Sequence, residues 1–249
     1  MSAPLILTAP YYDRLEELER RHWWCRSVRR VNFDLGLPGL PDSGTVLDAG
    51  CGAGGMLAHL AARRPRARGI GLDLSADALR LARKKRLRLL QLASVTDLPI
   101  ASESVDLVFS NDVLQHLPEG DDARALSEAR RVLKPGGHLC ARANFGTLAR
   151  DEQGVARRYS REGFARLVRG AGFSIEKHLV LHPLPALLAP RRHARHAGHG
   201  GGGLSMSVPP EPLNRLLDVY TFFEDALTRR LPFAWPIGDG QTVLARRQS

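Results

Sequence analysis

The chain has 249 residues, 43% of them hydrophobic and 25% charged, a balance that supports one substantial core and excludes disordered and fibrous classes. Its formal charge of +10 could draw phosphates, nucleic acid or an anionic membrane surface. The arginine clusters at 26–30, 63–68 and 80–88, however, flank apolar periodic stretches and read as solvated helix faces.

Three cysteines, Cys25, Cys51 and Cys140, show no CxxC spacing, which argues against a disulfide framework or a cysteine-based zinc site and fits a reducing compartment. The first residues carry no basic leader, and the apolar run 179–188 is broken by His182, Pro183 and Pro185. A cytoplasmic protein without a transmembrane segment is expected.

Tyr11, Leu15, Leu18, His22, Cys25 and Val28 recur every three or four positions, which predicts one amphipathic helix over 11–31 with His22 on its buried stripe. The breaker cluster 38–44 ends it, so residues 1–40 form a helical lid. Short apolar runs then alternate with helical stretches, the pattern of a parallel sheet flanked by helices. Strands are predicted at 45–49, 69–73, 88–93, 105–110 and 137–143, and helices at 54–63, 75–85, 121–133 and 160–171. Ser160 reads as the N-cap of the last helix and Gly172 as its stop. Strands at 173–181 and 241–245 complete the sheet.

Residues 183–237 break this rhythm, so the core is expected over 41–182, with its last strand returning within 238–249. The insertion holds HPLPALLAP, the low-complexity HARHAGHGGGG, and a helical stretch carrying Leu213, Leu216, Leu217, Tyr220, Phe223 and Leu227. Residues 191–203 are expected to be mobile. His193, His196 and His199 have a helical metal-ligand spacing, but their glycine surroundings argue against it, and no metal site is expected.

The segment TVLDAGCGAGGMLAHL is a strand, a glycine-rich turn and a helix start. Gly50, Gly52 and Gly54 admit backbone conformations closed to other residues and let a ligand approach the main chain. Gly50, Gly52 and Gly55 also satisfy GxGxxG, with Asp73 at a ribose-binding distance. On the loop alone a nicotinamide or flavin enzyme fits equally well.

Four motifs in order, VLDAGCGAGG, GLDLS, SVDLVFSNDVLQHL and EARRVLKPGGHL, resemble class I S-adenosylmethionine-dependent methyltransferases over residues 45–173. Tyr11-Tyr12-Asp13 and His22-Trp23-Trp24-Cys25-Arg26 look like the N-terminal helix of a bacterial subgroup, and PEPLNRLLDVYTFFEDAL is similar to that subgroup's insertion. The resemblance implies an α/β Rossmann-like fold: a seven-stranded, mainly parallel sheet with helices on both faces, an N-terminal lid and a helical insertion before the last strand. It also implies S-adenosylmethionine as cofactor, leaving as S-adenosylhomocysteine.

Carried over by position, Asp48, Gly50, Cys51, Gly52 and Gly54 would surround the methionine moiety. Asp73 would take the ribose hydroxyls and Leu74 the adenine, while Asn111 would lie near the sulfonium. Ser94 and Val95 stand where relatives often place an adenine-binding aspartate. Gln115 stands where the subgroup usually has glutamate, and LKPGG is expected to be structural.

A sulfonium is already activated, so alignment and exclusion of water dominate such catalysis. His116, at the end of the fourth strand, is the leading candidate base, against the alternative of packing a helix end. His22 is the second candidate, beside Trp23 and Trp24, which could close over the cofactor; a core histidine is the competing reading. Arg26 could pair with the cofactor's carboxylate.

The expected partner is a small-molecule acceptor, a secondary metabolite or lipid-linked compound methylated on oxygen, nitrogen or carbon. Tyr220, Phe222, Phe223, Phe233 and Trp235 would cap it or fill core. The rivals are a cofactor-binding protein with a non-methylating reaction and an RNA methyltransferase. SNDV in place of a proline-aromatic motif argues against the latter and against a nucleic-acid partner. Peripheral membrane contact stays open, as do monomer and homodimer.

Overall fold

The computed structural model describes residues 9–146, 157–188, 206–231 and 235–248. In chain order the elements are α1 (Ala9–Arg21), α2 (Trp23–Gly36), β1 (Thr45–Ala49), α3 (Gly55–Arg63), β2 (Arg68–Asp73), α4 (Ala76–Lys84), β3 (Leu90–Leu92) and β4 (Val105–Asn111). They continue with α5 (Asp121–Val132), β5 (Leu133–Asn144), α6 (Arg161–Gly170), β6 (Phe173–Leu181), α7 (Pro183–Leu188), α8 (Glu211–Arg230) and β7 (Gly240–Arg247).

The seven strands run in the order β3-β2-β1-β4-β5-β7-β6. β1 pairs in parallel with β2 and β4, and β7 lies antiparallel to both β5 and β6. The chain builds outward from β1 to β3, then restarts beside β1 with β4. Open α/β sheets place their ligand crevice at such a reversal, outside the carboxyl ends of the strands.

Alternation along the central strands sends side chains to two cores. Leu47 and Val108 join Leu126, Phe164 and Val168 of α5 and α6 on one face. Val46, Leu107 and Phe109 join Phe33 and Leu35 of α2 and Leu57 and Leu60 of α3 on the other. Each fully buried side chain of this size contributes about 1.5–3 kcal/mol. Ser160 and Ser75 cap α6 and α4 through bonds to the Gly163 and Ala78 amides. Among the described residues no helix is long and apolar enough to cross a membrane.

The structure departs from expectation in four places. The single N-terminal helix is two, broken at His22, whose backbone is extended and whose Nδ1 accepts from the Trp24 amide at 3.1 Å. Asn214 of α8 accepts from the Trp23 amide, so two donors at the start of α2 are satisfied from outside the helix. β3 is only three residues long, and β5 begins at Leu133, taking LKPGG into the strand with a register shift opposite Val105/Leu107. The insertion helix α8 packs on α2 and not over the sheet's crevice. Phe233, residues 191–203 and the three histidines at 193, 196 and 199 lie outside the described residues.

Candidate active site

A cavity of about 470 Å³ opens at the carboxyl ends of β1, β2, β3 and β4 beneath α1 and α2. Its size suits a small-molecule site, which typically spans roughly 300–1,000 Å³. The floor is the glycine loop, where Gly50, Gly52 and Gly54 all have positive φ. A Cβ at Gly50 would run into Val113, and one at Gly54 into Leu87, so the loop's close approach depends on glycine.

Of the residues expected at the cofactor, Asp48, Gly50, Cys51, Gly52, Asp73, Leu74, Val95, Asn111 and Trp24 line this cavity, and so does His116. Asp73 is held in place by three donors: the Gly52 and Ser75 amides at 2.9 Å, and the Tyr12 hydroxyl at 3.2 Å. Asn111 accepts from Asn32 of α2 at 2.6 Å, which ties the roof to the tip of β4.

Four residues fall elsewhere. Gly54 sits behind the loop as the N-cap of α3. Ser94 bonds to Thr96 at 2.7 Å. Arg26 donates to the Arg21 carbonyl and pairs with Asp218 at 3.5 Å, away from the cavity. His22 is a helix cap outside the lining, and burial pulls its pKa down to about 4, so it stays a neutral acceptor. Gln115 is a clip: its Oε1 accepts from the Asn144 amide and its backbone carbonyl from the Arg157 amide.

Sequence reasoning missed Glu19, Arg29, Asn32 and Asp112, all in the cavity wall. Glu19 faces the glycine loop from α1, and its Oε2 is buried without a hydrogen-bond partner. Burial pushes its pKa up to about 7, against the pull of Lys85 and Arg29. Burial, then the charges of Glu19 and Asp73, pushes Asp48 up to about 8. A bound cation would favour the ionised forms of both groups. Arg29 offers a guanidinium on the same wall.

Asp112 adopts a left-handed backbone at φ 58 and pairs with Arg142, a fully buried guanidinium 4.6 Å beneath the Trp24 ring. Arg142 lies 3.8 Å from Asp239, which accepts from Trp24 and from His182 Nδ1 at 3.0 Å. His182 Nε2 lies 2.7 Å from Ser27 Oγ, which donates to Asp225 at 2.8 Å. Burial alone would lower His182, but Asp239 and Asp225 raise it overall. Ser27 spends its one proton on Asp225, so both ring nitrogens donate. His182, Glu224 and Asp225 each bring a possible ligand atom within 4.8 Å of the others, but that proton occupies the histidine's lone pair.

Residues 47–141 match the methyltransferase domain family. A trans-aconitate 2-methyltransferase of Azoarcus sp. (strain BH72) is 42% identical over 100 residues, covering 40% of this chain and 39% of that protein. A ubiquinone/menaquinone biosynthesis C-methyltransferase of Syntrophotalea carbinolica is 38% identical over 141 residues, covering 53% of this chain and 55% of that one. The chain thus spans about half or less of the length of these curated relatives. A SAM-dependent methyltransferase from Archaeoglobus fulgidus shares the fold with a TM-score of 0.62 at 16% identity, over 95% of this chain and 100% of that one. In its matched domain over residues 47–141, its sheet order and its glycine-floored cavity, the chain is similar to the S-adenosylmethionine-dependent methyltransferases.

Proposed function

We propose that this protein transfers a methyl group from S-adenosylmethionine to a small, largely apolar acceptor. The observation that carries the reading is the set of carboxylates Glu19, Asp48 and Asp73 around a glycine-floored cavity, the first two with pKa values raised by burial. When bound, the cofactor supplies a sulfonium-activated methyl group.

The chain's own residues then have separable tasks. Asp73, prepaid by three donors, accepts from a vicinal diol in exchange for or alongside the Tyr12 hydroxyl. Glu19 and Asp48 hold positive charge, and Arg29 offers its planar guanidinium to a carboxylate. Leu74 and Val95 supply an apolar slot for a flat ring. Trp24, Val28, Val113, Leu117 and Pro118 give the remaining space apolar walls that exclude water. His116, in that wall, would take a proton from an acceptor hydroxyl or amine.

Titration calorimetry with S-adenosylmethionine tests the reading. The unaltered protein should bind it, and Asp73→Ala should weaken binding about tenfold or more, the loss expected for hydrogen bonds to a charged group. Binding unaltered in Asp73→Ala, or a preference for a dinucleotide, overturns it.

A further inference from the structure

Helix α8 is built inside out. Its buried residues are Asn214, Thr221, Glu224, Asp225 and Thr228, all polar. Leu213, Leu216, Val219, Phe222, Phe223 and Leu227 stand 47–65% exposed. At 100° per residue these two sets occupy opposite sides of the helix, the reverse of an ordinary surface helix. The inner side uses its polarity. Asn214 bridges the Arg21 carbonyl and the Trp23 amide, and Asp225 accepts from Ser27 and Arg30. The helix is therefore anchored by hydrogen bonds and charge, which leaves its apolar side to water.

Leu184 and Leu187 of α7 are also exposed, at 41% and 58%. The Leu184 amide bonds to Glu224 at 3.4 Å and holds α7 beside α8. A helix side carrying six exposed large apolar residues marks a protein or membrane contact site. Its border is basic: Arg215 and Arg230 are exposed on α8 itself, exposed Lys177 reaches the Arg229 carbonyl at the helix's C-terminal end, and Arg20 is exposed at the end of α1, where its neighbour Arg21 pairs with Glu17. Of the acids nearby, Glu211 pairs with Arg215, Asp218 with Arg26 and Arg30, and Glu17 with Arg14 and Arg21.

We propose that this face docks on an anionic lipid bilayer, with α8 lying in the plane of the interface. Its leucines and phenylalanines enter the acyl boundary, and the rim arginines meet headgroup phosphates. The chain's charge of +10 complements that surface. It also weighs against a second copy as the occupant, because two basic rims would face each other across an isologous contact. The inference is independent of the methyl-transfer reading. α2 stands between the two sites, with Trp24, Val28 and Asn32 in the cavity wall and Ser27 and Arg30 turned to α8.

Co-sedimentation of the full chain with phosphatidylcholine–phosphatidylglycerol vesicles, against pure phosphatidylcholine, tests the proposal. The expected result is binding to the anionic vesicles, weakened about tenfold or more both by pure phosphatidylcholine and by the double substitution Leu216→Glu/Phe223→Glu. S-adenosylmethionine calorimetry on the same double variant should be unchanged, which keeps this result separate from the cofactor reading. Three outcomes overturn the proposal: no binding of the unaltered chain to anionic vesicles, undiminished binding of the double variant, or a vesicle-free dimer that the same substitutions dissolve.

Discussion

Glu19 and Asp48 make the cavity a pH-dependent receptor. In an unfolded chain both ionise near their ordinary value of about 4, while in the folded protein they hold their protons up to about 7 and 8. A native state that binds more protons than the unfolded one loses stability as pH rises through that window, so these two groups favour the folded protein most below about pH 4. A cationic ligand favours their ionised forms. Binding should therefore release protons near neutrality, and affinity for S-adenosylmethionine should climb between about pH 6 and 8, with a flatter rise in Glu19→Gln. Calorimetry in buffers of different ionisation enthalpy reads the proton release directly, and a pH-independent affinity would contradict this account.

At the same scale, Asp73 and Asn111 were legible because each stands at a fixed place after a strand in a recognised motif. Glu19 left a weaker trace as a carboxylate four residues after Leu15 on the helix stripe that also carries Tyr12. Arg29 likewise follows Cys25 by four. Periodicity reports which side of a helix faces inward, but it does not tell a core from a cavity wall.

Among the elements, the break between α1 and α2 was invisible to periodicity because both halves keep the same inward stripe through His22. What ends α1 there is a local alternative: an extended residue whose imidazole accepts the next helix's amide. Replacing His22 with alanine should cost about 1 kcal/mol of stability, as loss of an N-cap does, and leave turnover near its original rate. Urea melts alongside labelled-methyl assays would check both. A collapse of turnover in a folded variant would restore His22 as a base.

The orientation of α8 was hidden for another reason. Its apolar positions read as core-facing, and the groups that instead claim its polar side, Ser27, Arg30 and the Arg21 carbonyl, lie about 190 residues earlier in the chain. Phe222 and Phe223, expected to cap the acceptor or fill core, instead stand exposed and outside the cavity lining. The strand series fared better because hydrophobic alternation and glycine turns are local signals, although β3 keeps only three paired residues of the six expected.

For the molecule as a whole, the same chemistry that prepares the site joins its parts. Arg142 carries a full positive charge at a point with no exposed surface, and it is shared between the tip of β4 through Asp112, the approach to β7 through Asp239, and the roof through Trp24. If any one of these neighbours withdrew alone, the guanidinium would lose part of what compensates its burial, and a stranded buried charge costs roughly 3–5 kcal/mol. Partial openings at this junction are thus penalised more steeply than at the frayed ends of surface helices. Amide protons in β4, β5 and the first turns of α2 should accordingly exchange with deuterium by one shared opening at a common free energy. Arg142→Met would divide that single event into several, with α2 exchanging first.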